Sequence, residues 1–256
     1  MKLRDKVAIV TGSSRGIGKA IALAFAGEGA RVVVAARTEK NSRLIAGTVY
    51  ETAGEIEAAG GIALPLRTDV ANEDDVLSML QITMDTFKRV DILVANAATN
   101  RPASFMKMPL KIWDEIIRVN IRGVTVCAKA VLPAMMEQGE GHILTISSVA
   151  AEKLHHEPFT GLAYDVSKAA INRFTIGLSD ELKPHKIAVN ALAPDNTVTE
   201  GWSFLNPSAD KSGWSSPERW GAYATFVASR DPASFTGKIL SGQDMQKLCH
   251  FEDSNR

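Results

Sequence analysis

Val7-Ala-Ile-Val-Thr-Gly-Ser-Ser-Arg-Gly-Ile-Gly18 is the stretch that decides the fold. Val7–Val10 is a short apolar run of strand type. It ends at a turn carrying Gly12, Gly16 and Gly18, and a helix pattern follows over Ile17–Glu28. Strand, glycine turn and helix, in that order, are the context a dinucleotide-binding turn requires. The glycines let the backbone turn tightly and approach a pyrophosphate, whose charge rests at the helix N-terminus. Glycine triplets often serve as plain structural turns. The strand before, the helix after and the first-strand position favour cofactor binding here, with Ser14, Arg15 and Ile17 inside the same turn.

Outward from that unit, strand and helix patterns alternate along almost the whole chain. Strands are expected at Arg31–Ala36, Ala63–Arg67, Ile92–Ala95, His142–Ile146, Ile187–Ala191 and Lys238–Leu240. Helices are expected at about Thr48–Ala59, Glu73–Phe87, Gly161–Leu182 and Pro217–Ser229, with a long one from about Leu110 to Met136 interrupted near Gly123. Fully apolar strands separated by helices imply an α/β fold, a doubly wound parallel sheet of Rossmann type with helices on both faces. Ligands then bind at the carboxyl ends of the strands. No Pro/Gly/Ser linker and no repeat divides the chain, so residues 1–256 read as a single domain. Three stretches resist this reading: Thr38–Gly47, the loop Glu152–Thr160 with His155 and His156, and Asp195–Ser216 with Trp202, Phe204, Leu205 and Trp214. The last is a candidate substrate lid, since long irregular stretches in compact domains tend to be functional or disordered.

Composition sets looser bounds. The 256 residues are 45% hydrophobic and 23% charged with zero formal net charge, and no basic cluster points to nucleic acid. Cys127 and Cys249 match no metal or disulfide pattern, so no metal is expected and a reduced intracellular compartment is the simplest setting. No signal-type core precedes the first strand, no apolar run reaches membrane length, and the chain does not end in a peroxisomal address. A cytoplasmic protein with no membrane partner is the expectation.

The adenosine ribose should be read at the end of the second strand, about 20 residues beyond the glycine turn. Ala36-Arg37-Thr38 offers no carboxylate for a free 2′-hydroxyl, whereas Arg37 can pair with a 2′-phosphate and Arg15 can add a second cation. NADP(H) is therefore favoured, with NAD(H) still admissible. Asp69, closing the third strand, can accept from an adenine amino group or simply cap the next helix. Further on, Tyr164-Asp-Val-Ser-Lys168 opens a helical pattern, and residues four apart share one helix face. A lysine cation there favours the phenolate, bringing a phenol that titrates near pH ~10 toward neutrality.

Together these residues resemble the short-chain dehydrogenase/reductase family over nearly the full length. The turn matches its TGxxxGxG pattern, Asp69-Val70 its adenine-site pair and Asn96-Ala97 half of its NNAG. Asn120, Ser148, Tyr164 and Lys168 match its Asn-Ser-Tyr-Lys tetrad, and Phe226–Ser229 with Phe235–Gly237 its C-terminal signature. A narrower similarity, on Gly47–Tyr50, Glu55–Glu57, Ala63–Pro65 and Val189–Leu192, is to the reductase domain of the hydroxysteroid dehydrogenase-like proteins; the chain is expected to lack the sterol-carrier domain they can carry. The resemblance implies a small-molecule carbonyl or alcohol substrate and hydride transfer. Tyr164 would be the general acid or base, and Lys168 would bind the nicotinamide ribose. Ser148 would hold the substrate oxygen, and Asn120 would hold a relay water. Pro194, Thr197 and Thr199 would lie near the nicotinamide. The apolar positions of the two long helices, too many for one buried stripe, imply a homodimer or homotetramer.

Four departures qualify this. Ser148 and Tyr164 stand 16 apart, a few more than usual; NNAG reads Ala95-Asn-Ala-Ala98; Asp195 follows Pro194 where glycine is usual; and Ser241-Gly-Gln-Asp244 replaces VDGG. A residue tolerant of left-handed backbone can keep the turn at Asp195, while its carboxylate can weaken nicotinamide binding. That leaves a second reading, a nucleotide-binding regulatory or scaffold protein on the same fold.

Overall fold

The computed structural model describes residues 1–41, 46–152 and 161–249. Seven strands form one parallel sheet in the order β3-β2-β1-β4-β5-β6-β7. They are β1 (Val7–Thr11), β2 (Arg31–Ala36), β3 (Ile62–Arg67), β4 (Ile92–Ala95), β5 (Gly141–Ile146), β6 (Ile187–Ala193) and β7 (Ile239–Ser241). All five residues of β1 are buried because the sheet is covered on both faces. Alternation sorts them. Ala8, Val10, Val32 and Val34 face a core with Ile21, Phe25, Trp220 and Tyr223. Ile9, Val33 and Ala35 face one with Val76, Met79, Cys127, Val131 and Met135. The first core is closed by α1 (Gly16–Gly27) and α8 (Pro217–Ala228). They approach closely: a Cβ on Gly221 would stand 2.7 Å from the Ala20 carbonyl oxygen. The second is closed by α3 (Glu73–Phe87) and α5 (Gly123–Gln138).

Local chemistry sets the helix ends. Thr48 and Glu51 form a reciprocal capping box on α2 (Val49–Ala58), and Asn72 caps α3. The expected long helix is α4 (Leu110–Ile117), a π-helical turn at Arg118–Arg122 and then α5. The interruption thus lies just before Gly123. At that glycine a Cβ would meet Val70 Cγ2 at 2.8 Å, which explains the residue. This helical run, Leu110–Gln138, does reach membrane length by composition, with mean hydropathy 1.2, contrary to the expectation that no stretch does. Its Ile116, Val119, Val124, Cys127, Val131 and Met135 are buried in the protein's own core.

Two helices were not legible in the sequence. Beyond α6 (Leu162–Leu182), α7 (Glu200–Leu205) is a six-residue helix within turn-forming composition, too short to show a period. α9 (Gly242–Cys249) starts directly at the end of β7, where Ser241 and Asp244 cap one another's backbone.

At the amino-terminal edge of the sheet, the buried Asp91 accepts from the Val7 amide at 2.9 Å, from Arg89 Nε at 2.8 Å and from Lys6 Nζ at 3.4 Å. Burial opposes its ionisation, but the donors outweigh it and hold the carboxyl below its usual range. His142 on β5 is nearby, its Nδ1 buried with no partner among the described residues. Burial first, and the Lys6 charge second, pull it down to about 4. The unfolded chain takes up this proton near pH ~6.5, so stability is present above that pH and is lost as pH falls toward 4. Between pH 7 and 4.5, denaturant titrations should show the protein losing about 2–3 kcal/mol more than a His142→Thr variant. Equal losses would remove His142 as the cause.

Candidate functional site

The turn after β1 is locked to the end of β4. Thr11 Oγ1 donates to the Val94 carbonyl at 3.2 Å and accepts from the Asn96 and Ala97 amides at 3.0 and 3.1 Å. Asn96 Nδ2 donates back to the Thr11 and Gly12 carbonyls at 2.8 and 3.1 Å. Gly12 adopts φ +66°, and a Cβ there would lie 2.8 Å from Ala97 Cα; one on Gly18 would lie 2.4 Å from both Asn96 Nδ2 and the Gly12 oxygen. Only glycine fits this crossing. Asn96, expected as half of a motif, is therefore the clamp of the turn.

Arg15, in extended conformation at φ −165°, precedes α1 and gives it no side-chain cap. The first amide of α1, Gly16 N–H, instead donates to Glu200 Oε2 at 2.9 Å. The Arg15 guanidinium lies along the turn, donating to the Gly47 carbonyl at 2.8 Å and to Thr38 Oγ1 at 3.4 Å, while its Nε is buried with no partner among the described residues. Arg37 stands exposed at the end of β2. The nearest acid in sequence, Glu39, is engaged by Tyr50 at 3.0 Å and Arg67 at 3.9 Å. Two cations and a helix N-terminus whose first amide is met only by an exposed carboxylate make this end of the site suited to an anionic ligand. Asp69 accepts from the Ala71 amide at 3.0 Å, a local turn role, and Val70 is buried beside it against Gly123. Ser14 and Ile17 lie in the same turn, Ser14 buried. Among the described residues no cluster of three metal-ligating side chains occurs.

At the ends of β5 and β6 the second group assembles. Ser147 turns inward, donating to Asn172 Oδ1 at 2.5 Å and to the Lys168 carbonyl at 3.3 Å. Ser148 accepts from the Ala150 amide at 3.1 Å and faces the Tyr164 phenol. The two serines thus differ in partners: Ser147 is bonded within the core and Ser148 is turned to the phenol. Asn120 sits in the π-helical turn with its side chain committed: Oδ1 accepts from the Thr99 amide at 2.8 Å, and Nδ2 donates to the Thr99 carbonyl and to Ser167 Oγ, both at 3.0 Å. Ser167 in turn donates to the Tyr164 carbonyl at 2.7 Å. Such turns inside helices are frequent at functional sites. Thr99 and Ser167 had no sequence signal.

The electrostatics differ from the sequence expectation. Burial pushes the Tyr164 phenol up to about 12, against the pull of Ser148, with the Asp165 charge adding to the rise. Burial also draws Lys168 down to about 8. Lys168 Nζ donates to the Ile146 carbonyl at 2.7 Å and lies 5.4 Å from the Tyr164 ring centroid. The lysine is oriented by the sheet end rather than paired with the phenol oxygen, so desolvation governs both groups and the phenol is protonated at neutral pH.

The segment after β6 is tied at both ends by one network. Asp195 Oδ1 accepts from Ser215 Oγ at 2.7 Å. Thr197 Oγ1 and Ser215 Oγ are 3.0 Å apart, and the buried Trp220 Nε1 donates to them at 3.0 and 3.1 Å. Asp195 has no left-handed backbone, so the turn after Pro194 does not need glycine's freedom. Its carboxylate is held by Ser215, and the Thr197 hydroxyl is likewise committed to this anchor. Thr199 caps α7, accepting from the Trp202 amide at 3.2 Å, and its side-chain carbons rest 3.3 Å from the position a Cβ on Gly16 would take. Ser215, Trp220 and Glu200 went unnoticed in the sequence because their partners lie far along the chain. His155 and His156 lie outside the described residues.

A family model described as short chain dehydrogenase matches residues 6–209. A hydroxysteroid dehydrogenase-like protein 2 from Xenopus tropicalis is 35% identical over 250 residues, covering 96% of this chain and 58% of that protein's length. A 3-oxoacyl-acyl-carrier-protein reductase from Synechocystis sp. is 37% identical over 247 residues, covering 93% of this chain and 96% of the reductase. Among solved structures, a short chain dehydrogenase from Burkholderia cenocepacia in complex with NADP superposes with a TM-score of 0.82 at 29% identity, over 94% of this chain and 97% of that one. A short-chain type dehydrogenase/reductase from Mycobacterium marinum gives 0.84 at 33% identity, over 96% of this chain and 97% of that one. The match runs through both halves of the site, and the chain belongs to the short-chain dehydrogenase/reductase family.

Proposed function

We propose that the protein is an NADP(H)-dependent oxidoreductase that interconverts a carbonyl and a secondary alcohol. The observation that carries this reading is the convergence of Ser148, Tyr164 and Lys168 at the ends of β5 and β6, with Asn120 braced behind α6 through Ser167. A bound nicotinamide supplies or accepts the hydride. Tyr164, partly buried and protonated at neutral pH, donates the proton that the carbonyl oxygen needs during reduction. Ser148 donates to the same oxygen as charge develops on it. Lys168, positioned by the Ile146 carbonyl, holds the nicotinamide ribose. Asn120, bonded to Thr99 and Ser167, is proposed to position the helix that carries the tyrosine. Residues 195–216 form the substrate lid. The reductase activity named for the Synechocystis relative makes 3-oxoacyl thioesters natural members of a test panel, beside ketones and aldehydes. NADPH consumption, read by absorbance, tests the reading. NADPH binding with no turnover across the panel would favour a nucleotide-binding scaffold instead.

Cofactor choice rests on Arg37, Arg15 and the engagement of Glu39 elsewhere. Charge-assisted bonds to a phosphate are worth about 1.5–3 kcal/mol each, so NADPH should bind at least about tenfold more tightly than NADH. Arg37→Asp should reverse the order in a fluorescence titration. Equal or tighter binding of NADH by the unaltered protein defeats the assignment.

Tyr164→Phe removes only the hydroxyl, so NADPH affinity should survive while kcat falls by ~10²–10⁴-fold. Lys168→Ala should weaken both binding and turnover, and Ser148→Ala turnover alone. A Tyr164→Phe enzyme retaining near-full kcat would show that the phenol is not the acid.

Assembly follows from surface chemistry. Leu110, Met136, Leu162, Val166 and Ile176, on α4, α5 and α6, are exposed. We propose that a second copy covers them, giving a homodimer or homotetramer. Light scattering at micromolar concentration should give a mass of two or four chains; a monomeric mass counts against it.

A further inference from the structure

We propose that Glu200 is a built-in competitor for the cofactor's pyrophosphate, which must expel it, and with it the start of α7, in order to bind. The inference rests on the dinucleotide reading above. A helix leaves its first amides without internal partners, and these carry the positive end of its dipole. On α1 nothing local satisfies them: Arg15 makes no side-chain cap, and the first turn holds no acidic residue. The acceptor arrives from 184 residues away, as the Glu200 carboxylate on Gly16 N–H at 2.9 Å. A carboxylate there presents the charge and acceptor oxygens that a diphosphate would bring to the same amide. The two anions cannot share it.

Glu200 is exposed, so water can take up its carboxylate once displaced, and the contact is a weak hold rather than a lock. The residue opens α7, directly after its cap Thr199, so expelling the carboxylate moves the helix start. α7 carries Trp202, whose ring centroid lies 6.2 Å from that of Trp214 and whose buried indole N–H has no partner among the described residues. An unsatisfied buried donor costs free energy, so this seat of the lid is readily vacated. Cofactor arrival would thereby be coupled to rearrangement of the lid over the substrate side.

Inorganic pyrophosphate, NADPH and adenosine 2′-monophosphate are titrated into the protein and a Glu200→Ala variant, with tryptophan emission and calorimetry as readouts. Pyrophosphate and NADPH should each bind about 3–10-fold more tightly to the variant, the range expected for removing one exposed charged contact and its repulsion. Adenosine 2′-monophosphate, which has no diphosphate, should bind both forms equally. The emission change that pyrophosphate induces in the unaltered protein should be largely present in the variant before ligand is added. Unchanged or weaker pyrophosphate binding by the variant overturns the inference, even if NADPH binds both forms. A gain for pyrophosphate with no NADPH binding to either form defeats the dinucleotide reading, and with it the cofactor part of the inference, and leaves Glu200 as a competitor for a free diphosphate at this amide.

Discussion

Everything at the site hangs from the clamp between β1 and β4. The strand order reverses there, so the chain leaves the two strand ends in opposite directions and opens a crevice between them. An open crevice leaves backbone groups without ladder partners. Thr11 and Asn96 supply those partners, Thr11 through one hydroxyl that donates once and accepts twice. Asn96 closes the crossing from the other side, its amide donating to the Thr11 and Gly12 carbonyls. The glycine turn is held at the spacing that only glycine tolerates, and the α1 amides are thereby aimed outward.

On the other side of the crevice, burial rather than charge pairing governs the chemistry. Lys168 and Tyr164 lie one helical turn apart, as their spacing demands, yet the lysine is drawn to a strand-end carbonyl. Both groups are desolvated, which favours their neutral forms: the phenol keeps its proton and the ammonium holds its own less firmly. Asn120 contributes from a helix that widens by one π turn, which places its amide within reach of Thr99 and Ser167 together.

Asp195 shows how a departure from a family pattern is absorbed. A carboxylate replaces glycine without a left-handed backbone, and Ser215, 20 residues on, donates a hydrogen bond to it. Thr197 and Trp220 share the same hydrogen bonds. The irregular segment after β6 is therefore pinned to α8 at both of its ends, while α7 in its middle is held by Glu200 and by aromatic packing.

The sequence by itself determined the strands, the order of the helices and the glycine turn, because each rests on local periodicity or on backbone conformations confined to neighbouring residues. Arg31–Ala36, Glu73–Phe87 and Ile92–Ala95 were readable to the residue for that reason. Tyr164 and Lys168 stand one turn apart as their spacing requires, while Ser148 was pointed to only by the family resemblance. Tertiary structure alone decided what those groups experience. The raised phenol, the lysine on Ile146, the commitment of Thr197 and the carboxylate of Glu200 on Gly16 all depend on burial or on partners brought from elsewhere in the chain. α7 and α9 escaped because they are short and take their stability from capping and packing rather than from a visible apolar stripe. Spacing along a chain fixes which residues share a face; only the fold sets the solvent each one loses and the partner it meets.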